Sequence, residues 1–283
     1  MLTAITVTSY QRRHLQAARD LLFHSNWVHT HLDWHETDRW LEVQDVPMRL
    51  AWQRGHLVGL LAVSTPLNGS CWIRMAAVSG HVDRQAILCV LWADLLIELR
   101  EHGIQNVSAL IIRDWLADYL PDLGFHYVED IITLARYGSD LPAVYPNRLK
   151  IRVAGAGDLD TLAVIDHAAF VPPWQLAVDE LRQAHRIAAS CTVAVLDDVP
   201  VGYQLSTLYF DGAHLARLAV VPDKQGIGIG AALLTDLLER FFRRGVFSMT
   251  LNTQASNHRS QGLYTRFGFK PNGYDLPFWS VNF

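Results

Sequence analysis

DKQGIGIGAALL, Asp223 to Leu234, places Gly226, Gly228 and Gly230 directly before an apolar run of helical spacing. Glycine gives up more chain entropy on folding than other residues, so such a cluster needs a cause. A bound phosphate supplies one. Positive φ aims successive N–H groups into one concavity, and a helix behind the loop adds its own free N–H groups and positive end. Upstream, HLARLAVV (His214 to Val221) reads as a strand and Pro222-Asp223-Lys224 as a turn. A strand, turn and glycine loop of this kind can hold a pyrophosphate without a lysine. The bland alternative is a tight helix start with incidental glycines.

Other nucleotide motifs fit less well. Gly226, Gly228 and Ala231 satisfy the dinucleotide spacing G-x-G-x-x-A literally. However, Pro222 to Gln225 separate these glycines from their strand, and Asn252 stands where the ribose-binding carboxylate is needed. VAGAGD, Val153 to Asp158, has Asp160 in place of the third small residue. Its acidic partner would be Asp179 or Glu180, inside a predicted helix. A Walker-type loop is excluded, because no Gly-Lys-Ser/Thr occurs.

The chain also repeats itself. HLVGLLAVSTP (from His56) matches VPVGYQLSTL (from Val199), and RMAAV (from Arg74) matches RLAVV (from Arg217). ADLLIELREHG (from Ala93) matches TDLLERFFRRG (from Thr235), and DLGFHYV (from Asp122) matches RFGFKPN (from Arg266). Four collinear matches at nearly constant offset indicate duplication of a whole domain, since solenoid repeats are far shorter. YGSDLPAVYPNRLK, Tyr137 to Lys150, reads as a linker on its two prolines and glycine. The division is therefore 1–138, a linker at 139–148, and 149–283. Within the second half the pattern predicts a strand at 149–153, helices from Asp158 to Ala169 and Leu176 to Ala188, and a hairpin over 191–210. The 214–221 strand follows, then a helix over 230–243, a strand over 247–252, and a short helix over 259–267. The fold class is α/β, with two tandem domains that each form a mixed, mostly antiparallel sheet flanked by helices.

At this point the residues resemble a family. AVVPDKQGIGIGAALL resembles the acyl-CoA loop, Q/R-x-x-G-x-G/A, of the GNAT superfamily of N-acetyltransferases. NHRSQGLYTRFGF, Asn257 to Phe269, resembles that superfamily's second signature, N-x-x-A-x-x-x-Y-x-x-x-G-F, with Ser260 in the alanine position. AAFVPPWQ and LNTQASN look most like the branch that acetylates the N-termini of ribosomal proteins. The motifs are intact over Leu149 to Phe283; the first half resembles the family by topology only.

The resemblance implies acetyl-CoA as cosubstrate, lying between splayed strands, and transfer of its acetyl group to a primary amine by direct attack. Leu218, Ala219 and Val220 would meet the pantetheine and the thioester carbonyl. Gln225, Gly226, Ile227, Gly228, Ile229 and Gly230 would cradle the pyrophosphate, and Asn257 would bond the pantetheine arm. Tyr264 would be the general acid for the departing thiolate. The glutamate that commonly serves as base in this branch is replaced by Asn252, which leaves His214 or Asp211, or a water chain. An α-amine titrates near 8, against about 10.4 for lysine, so it needs less help from a base.

The first half departs from the pattern where it matters. SGHVDRQAILCV, Ser79 to Val90, has no glycine after Gly80 and carries Asp83 beside the expected phosphate. In IIRDWLADYLPDLGF, Ile112 stands seven residues before Tyr119, where asparagine is needed. This half is expected to bind no CoA productively and to act as a partner domain. HSNWVHTHLDWHE carries His24, His29, His31 and His35 with Asp33 and Glu36. It reads as a solvated helix face or an acceptor surface. It lacks H-E-x-x-H, and no metal site is expected.

Composition sets the remaining limits. The formal net charge of −4 offers no bulk attraction for nucleic acid or anionic membrane. The N-terminus lacks a signal-peptide pattern, and three scattered cysteines suit reduced thiols in a cytoplasmic protein. The expected partner is a small-molecule or peptide amine; a homodimer stays open. An acyl-CoA-binding regulator without turnover is the alternative function, and bound-cofactor absorbance would reveal an oxidoreductase.

Overall fold

The computed structural model describes residues 4–42, 46–143 and 149–283. In chain order the elements are β1 (Ile5–Ser9), α1 (Leu15–His24), β2 (Trp27–Thr30), α2 (Thr37–Leu41), β3 (Met48–Gln53), β4 (His56–Val63), β5 (Ser70–Val78), α3 (Arg84–Glu101), β6 (Asn106–Leu110) and β7 (His126–Tyr137). They continue with β8 (Leu149–Val153), α4 (Leu159–Ala169), α5 (Val178–Ile187), β9 (Ser190–Leu196), β10 (Val199–Tyr209) and β11 (Gly212–Val220). The last are α6 (Ile229–Phe242), β12 (Ser248–Gln254), α7 (His258–Arg266), β13 (Lys270–Pro271) and β14 (Leu276–Asn282). The two mixed sheets flanked by helices are those the hydrophobic pattern predicts.

The described residues form two compact units, 1–129 with 276–283, and 130–275. This differs from the linear division at 138 and 149. In the first unit the strands order as β1, β3, β4, β5, β6, β14; every pairing is antiparallel except β5 with β6. In the second they order as β8, β9, β10, β11, β12, β7; only β11 with β12 is parallel. Each unit thus takes one strand from the other half of the sequence: β14 pairs with β6 in the first, and residues 131–137 of β7 pair with β12 in the second. The alternation of apolar residues marks both as strands but does not name their neighbours. Residues 144–148 of the expected linker lie outside the described residues.

Each unit carries a bulge beside its parallel strand pair. Ala62 pairs with Met75 and Val63 with Ile73, so Arg74 is an extra residue, a bulge. Leu205 pairs with Arg217 and Ser206 with Leu215, so Ala216 is the matching bulge. A bulge reverses which face later residues occupy. Accordingly Cys71 and Ile73 share a core with Ala76 and Val78, while Met75 and Ala77 belong to the core on the other face. In the second unit Ala213 and Leu215 share the α6 face with Leu218. The apparent match of Arg74 with Arg217 is thereby off by one: Arg74 corresponds to Ala216, and Met75 to Arg217.

Candidate functional site

β11 and β12 run in parallel register only from Ala213 to Leu215, opposite Met249 to Leu251. Beyond the Ala216 bulge, no strand among the described residues lies against the outer edge of β11. The hydrogen-bond alternation of an antiparallel pair fixes which groups that edge presents. Val221 N–H donates to the Val201 carbonyl at 3.0 Å, and Tyr203 lies opposite Ala219. Ala219 therefore spends its N–H and carbonyl on β10. The outward groups belong to Leu218 and Val220. Of the three residues expected to meet the pantetheine and the thioester carbonyl, Leu218 and Val220 turn their backbone groups outward and Ala219 turns its own toward β10.

The glycine loop follows at once. A single 3₁₀ turn, Pro222–Lys224, leads into Gly226 and Gly228, at φ 85° and 96°. Gly228 is the N-cap of α6, so the first N–H groups of that helix open onto the loop. The chain stays in place because Ile229, Leu233, Leu234 and Leu237 bury one face of α6 against the sheet. Gln225 acts through its side chain: Nε2 donates to the Val220 carbonyl at 2.9 Å and Oε1 accepts from Arg259 Nη1 at 2.7 Å. Arg259 was not singled out from the sequence. Its place two residues into the second motif was the available signal.

Tyr264, on α7, is buried and edge-on to Phe269 at 5.9 Å between ring centroids. Burial pushes its phenol up to about 12, so it stays protonated. Asn257 caps α7: its Oδ1 accepts from Ser260 N–H at 3.1 Å. That contact engages the carboxamide oxygen. His214 lies where β11 and β12 still pair, with Nδ1 2.9 Å from Thr250 Oγ1. Burial lowers its pKa, so it is a neutral imidazole near pH 7 and can accept a proton. Asp211 sits in the exposed β10–β11 turn, five residues before the bulge and about 15 Å along the strand from it. It is too remote to serve as base. Asn252 is exposed on β12.

The largest feature not foreseen is a buried polar network on the opposite face from α6. Arg217 donates from Nε and Nη2 to the two oxygens of Asp166 at 2.7 and 2.8 Å. Tyr203 Oη donates to Asp166 Oδ2 at 2.6 Å. Leu176 N–H donates to Asp166 Oδ1 at 2.8 Å, and Arg217 also bonds the Trp174 carbonyl. Its guanidinium lies 3.6 Å from the Phe170 ring centroid. The RLAVV repeat contains Arg217, but a strand pattern cannot show that an arginine points into a core.

The same place in the first unit is closed. Ser79 N–H donates to the Val58 carbonyl, so Ala76 and Val78 there correspond to Leu218 and Val220. Their outward groups are taken by β2: His29 pairs with Ala76 and Trp27 with Val78. Ser25 Oγ donates to the Val78 carbonyl, and His31 N–H to that of Arg74. The helix start is also filled, since Asp83 accepts from Ala86 N–H and caps α3. Two 3₁₀ turns, Asp114–Tyr119 and Pro121–Leu123, stand where the second unit has α7. The histidine run is thus neither a helix face nor solvated at its centre. His29 is wholly buried on β2, with burial lowering its pKa to about 3, and His31 Nε2 lies 2.9 Å from Asp33 Oδ1. Among the described residues no group of side chains is arranged to hold a metal. Among the described residues no helix is long and apolar enough to cross a membrane.

The comparisons agree with this geometry. Residues 159–269 match the model of the Acetyltransferase (GNAT) family. A ribosomal protein bS18-alanine N-acetyltransferase of Salmonella typhimurium is 30% identical over 119 residues, 42% of this chain and 79% of the relative. That of Haemophilus influenzae is 27% identical over 114 residues, covering 40% and 76%. Over nearly the whole chain, the fold resembles a tandem GNAT protein from the clavulanic acid biosynthesis pathway, with TM-score 0.65, 16% identity, and 99% and 98% of the two chains covered. It also resembles a GCN5-related N-acetyltransferase from Sphaerobacter thermophilus, with TM-score 0.59, 18% identity, and 98% and 95% covered. The open strand edge, the glycine nest and these relatives together place the chain in the GNAT family of acetyltransferases, built as a tandem of two such folds.

Proposed function

We propose that the second unit transfers an acetyl group from acetyl-CoA to a primary amine by direct attack within a ternary complex. One observation carries this: the unpaired edge of β11 leads, within a few residues, into a loop with two positive-φ glycines at a helix start. Acetyl-CoA supplies an activated acyl group. The chain does the rest. Val220 N–H meets the pantetheine as an added strand would, and the free N–H groups from Gly226 to Gly230 face the diphosphate. Leu218 N–H points to where negative charge develops on the thioester carbonyl oxygen.

Tyr264 is a hydrogen-bond donor to the departing sulfur. A phenol at about 12 is a weaker acid than an ordinary thiol, so full proton transfer would run uphill by about 5 kcal/mol. Donation without complete transfer is the role that fits. No carboxylate replaces the missing glutamate at Asn252, so the acceptor arrives as a free amine or loses its proton to water. His214, a neutral imidazole on β11, is the candidate base. An α-amine suits this site better than lysine. The alanine N-acetyltransferases among the relatives favour a peptide N-terminus.

The test is thiol release from acetyl-CoA against a panel of N-terminal peptides, polyamines and small amines, with product mass to locate the acetyl group. Acetyl-CoA binding with no thiol release across the panel would favour a non-catalytic acyl-CoA regulator instead.

A further inference from the structure

The two units use the same three positions in opposite ways. In the second unit they are Asp166, fourth from the end of α4, Tyr203 on β10 and Arg217 just past the bulge. In the first they are Leu21, fourth from the end of α1, Leu60 on β4 and Met75 just past the bulge. All three of these are buried in one apolar core.

The segment between the two helices differs accordingly. In the first unit, residues 25–36 join α1 to α2, and β2 within them hydrogen-bonds the β5 edge. Arg74 bonds the His31 carbonyl and Asp33, securing the end of β2. In the second unit, residues 170–177 join α4 to α5 and form no strand. Their backbone is bonded to side chains instead. The Trp174 carbonyl accepts from Arg217, Leu176 N–H donates to Asp166, and the Phe170 carbonyl accepts from Gln175, whose Nε2 also donates to the His167 carbonyl of α4.

Backbone groups taken from water must find partners. Beside an apolar trio, the nearest unsatisfied partners are those of the splayed strand edge. Beside an arginine–carboxylate pair, the partners lie off that edge.

We propose that Arg217 and Asp166, backed by Tyr203, are positioning residues that hold segment 170–177 off the β11 edge and so keep the acyl-CoA cleft open. Without them the segment pairs with Leu218 and Val220 as β2 pairs with Ala76 and Val78. The inference deepens the proposed function and rests on it for the identity of what enters the cleft. The occlusion itself needs no ligand to be observed.

The test converts the second unit to the first unit's residues in the full chain, as Asp166→Leu/Tyr203→Leu/Arg217→Met. Replacing the whole network avoids leaving one buried charge alone. Hydrogen exchange without ligand reads the Leu218 and Val220 amides, and calorimetry reads acetyl-CoA binding. The expected result is a folded variant in which both amides gain protection. If the edge is covered in nine molecules of ten, acetyl-CoA affinity falls about tenfold. A network that merely stabilises the fold would instead raise exchange across the unit. Arg217→Lys, which keeps the charge and loses the fork, should show a partial gain in protection and serves if the triple variant does not fold. Unchanged or faster exchange at Leu218 and Val220 in a folded variant overturns the proposal. Wild-type protein that binds no acetyl-CoA refutes the functional reading alone, because the exchange arm still decides the occlusion.

Discussion

Gly228 is the sharpest place to perturb the loop. Its φ of 96° lies in the left-handed region, and a Cβ built there meets nothing within 4 Å. Gly228→Ala therefore adds no clash within the protein and tests backbone direction alone. Holding an L-residue in that region costs about 1–2 kcal/mol. The chain has two responses. It keeps the conformation, and the melting temperature drops. Or it relaxes to negative φ, and the N–H groups at the start of α6 turn away from the concavity. In the second case acetyl-CoA affinity falls, because binding must supply the same roughly 1–2 kcal/mol to restore the loop. That corresponds to a roughly 5- to 30-fold loss in affinity. A valine at this position adds β-branching and should abolish binding. Gly262→Ala, in open space on α7 at an ordinary helical φ, is the control and should raise stability by up to about 1 kcal/mol. Titration calorimetry with acetyl-CoA and a thermal melt on each variant suffice. Unchanged affinity together with an unchanged melt for Gly228→Ala would show that the loop's backbone direction is irrelevant to binding.

Tyr264→Phe should lower turnover by about 10²-fold or more while acetyl-CoA affinity stays within about twofold; equal losses in both would make the hydroxyl structural. Calorimetry on the intact chain should give one acetyl-CoA per chain, since β2 and Asp83 fill the first unit's slot; two equivalent sites would contradict that closure. His29 is held neutral in the folded chain, at about 3 against an ordinary 6.5, so only the unfolded chain takes up its proton as pH falls. Stability is full above about 6.5 and is lost below it, by about 2 kcal/mol between roughly pH 7 and pH 5. Urea unfolding should show that slope reduced by one proton in His29→Leu; an identical slope would mean the imidazole is not shielded.

The glycine loop, the second motif and the duplication were all legible in the sequence, because each is local or recurs at fixed spacing. Alternation gave Leu218 and Val220 as strand residues but could not separate them from Ala219; that needs the hydrogen-bond phase with β10. The one-residue slip at Arg74 and Arg217 has the same origin, since a bulge is invisible in a run of apolar residues. Asp166, Tyr203 and Arg217 are scattered over 52 positions and become one network only when α4 lies on the sheet. The histidine run was misread for a related reason. Its periodicity allows a helix, and only the vacant edge of β5 makes a strand of it.

The reciprocal placement of β7 and β14 carries a cost during synthesis. β6 receives its antiparallel neighbour from a strand far downstream; Asn106 and Ser280, bonded through their side chains, are 174 residues apart. At about 5–20 residues per second, a nascent chain carries the first sheet with that margin unpaired for roughly 10 to 35 seconds. Such a margin invites pairing with other chains. An expression fragment cut between Tyr137 and Leu149 would hold the molecule permanently at that stage, whereas one spanning 130–275 would carry its own neighbour for β12.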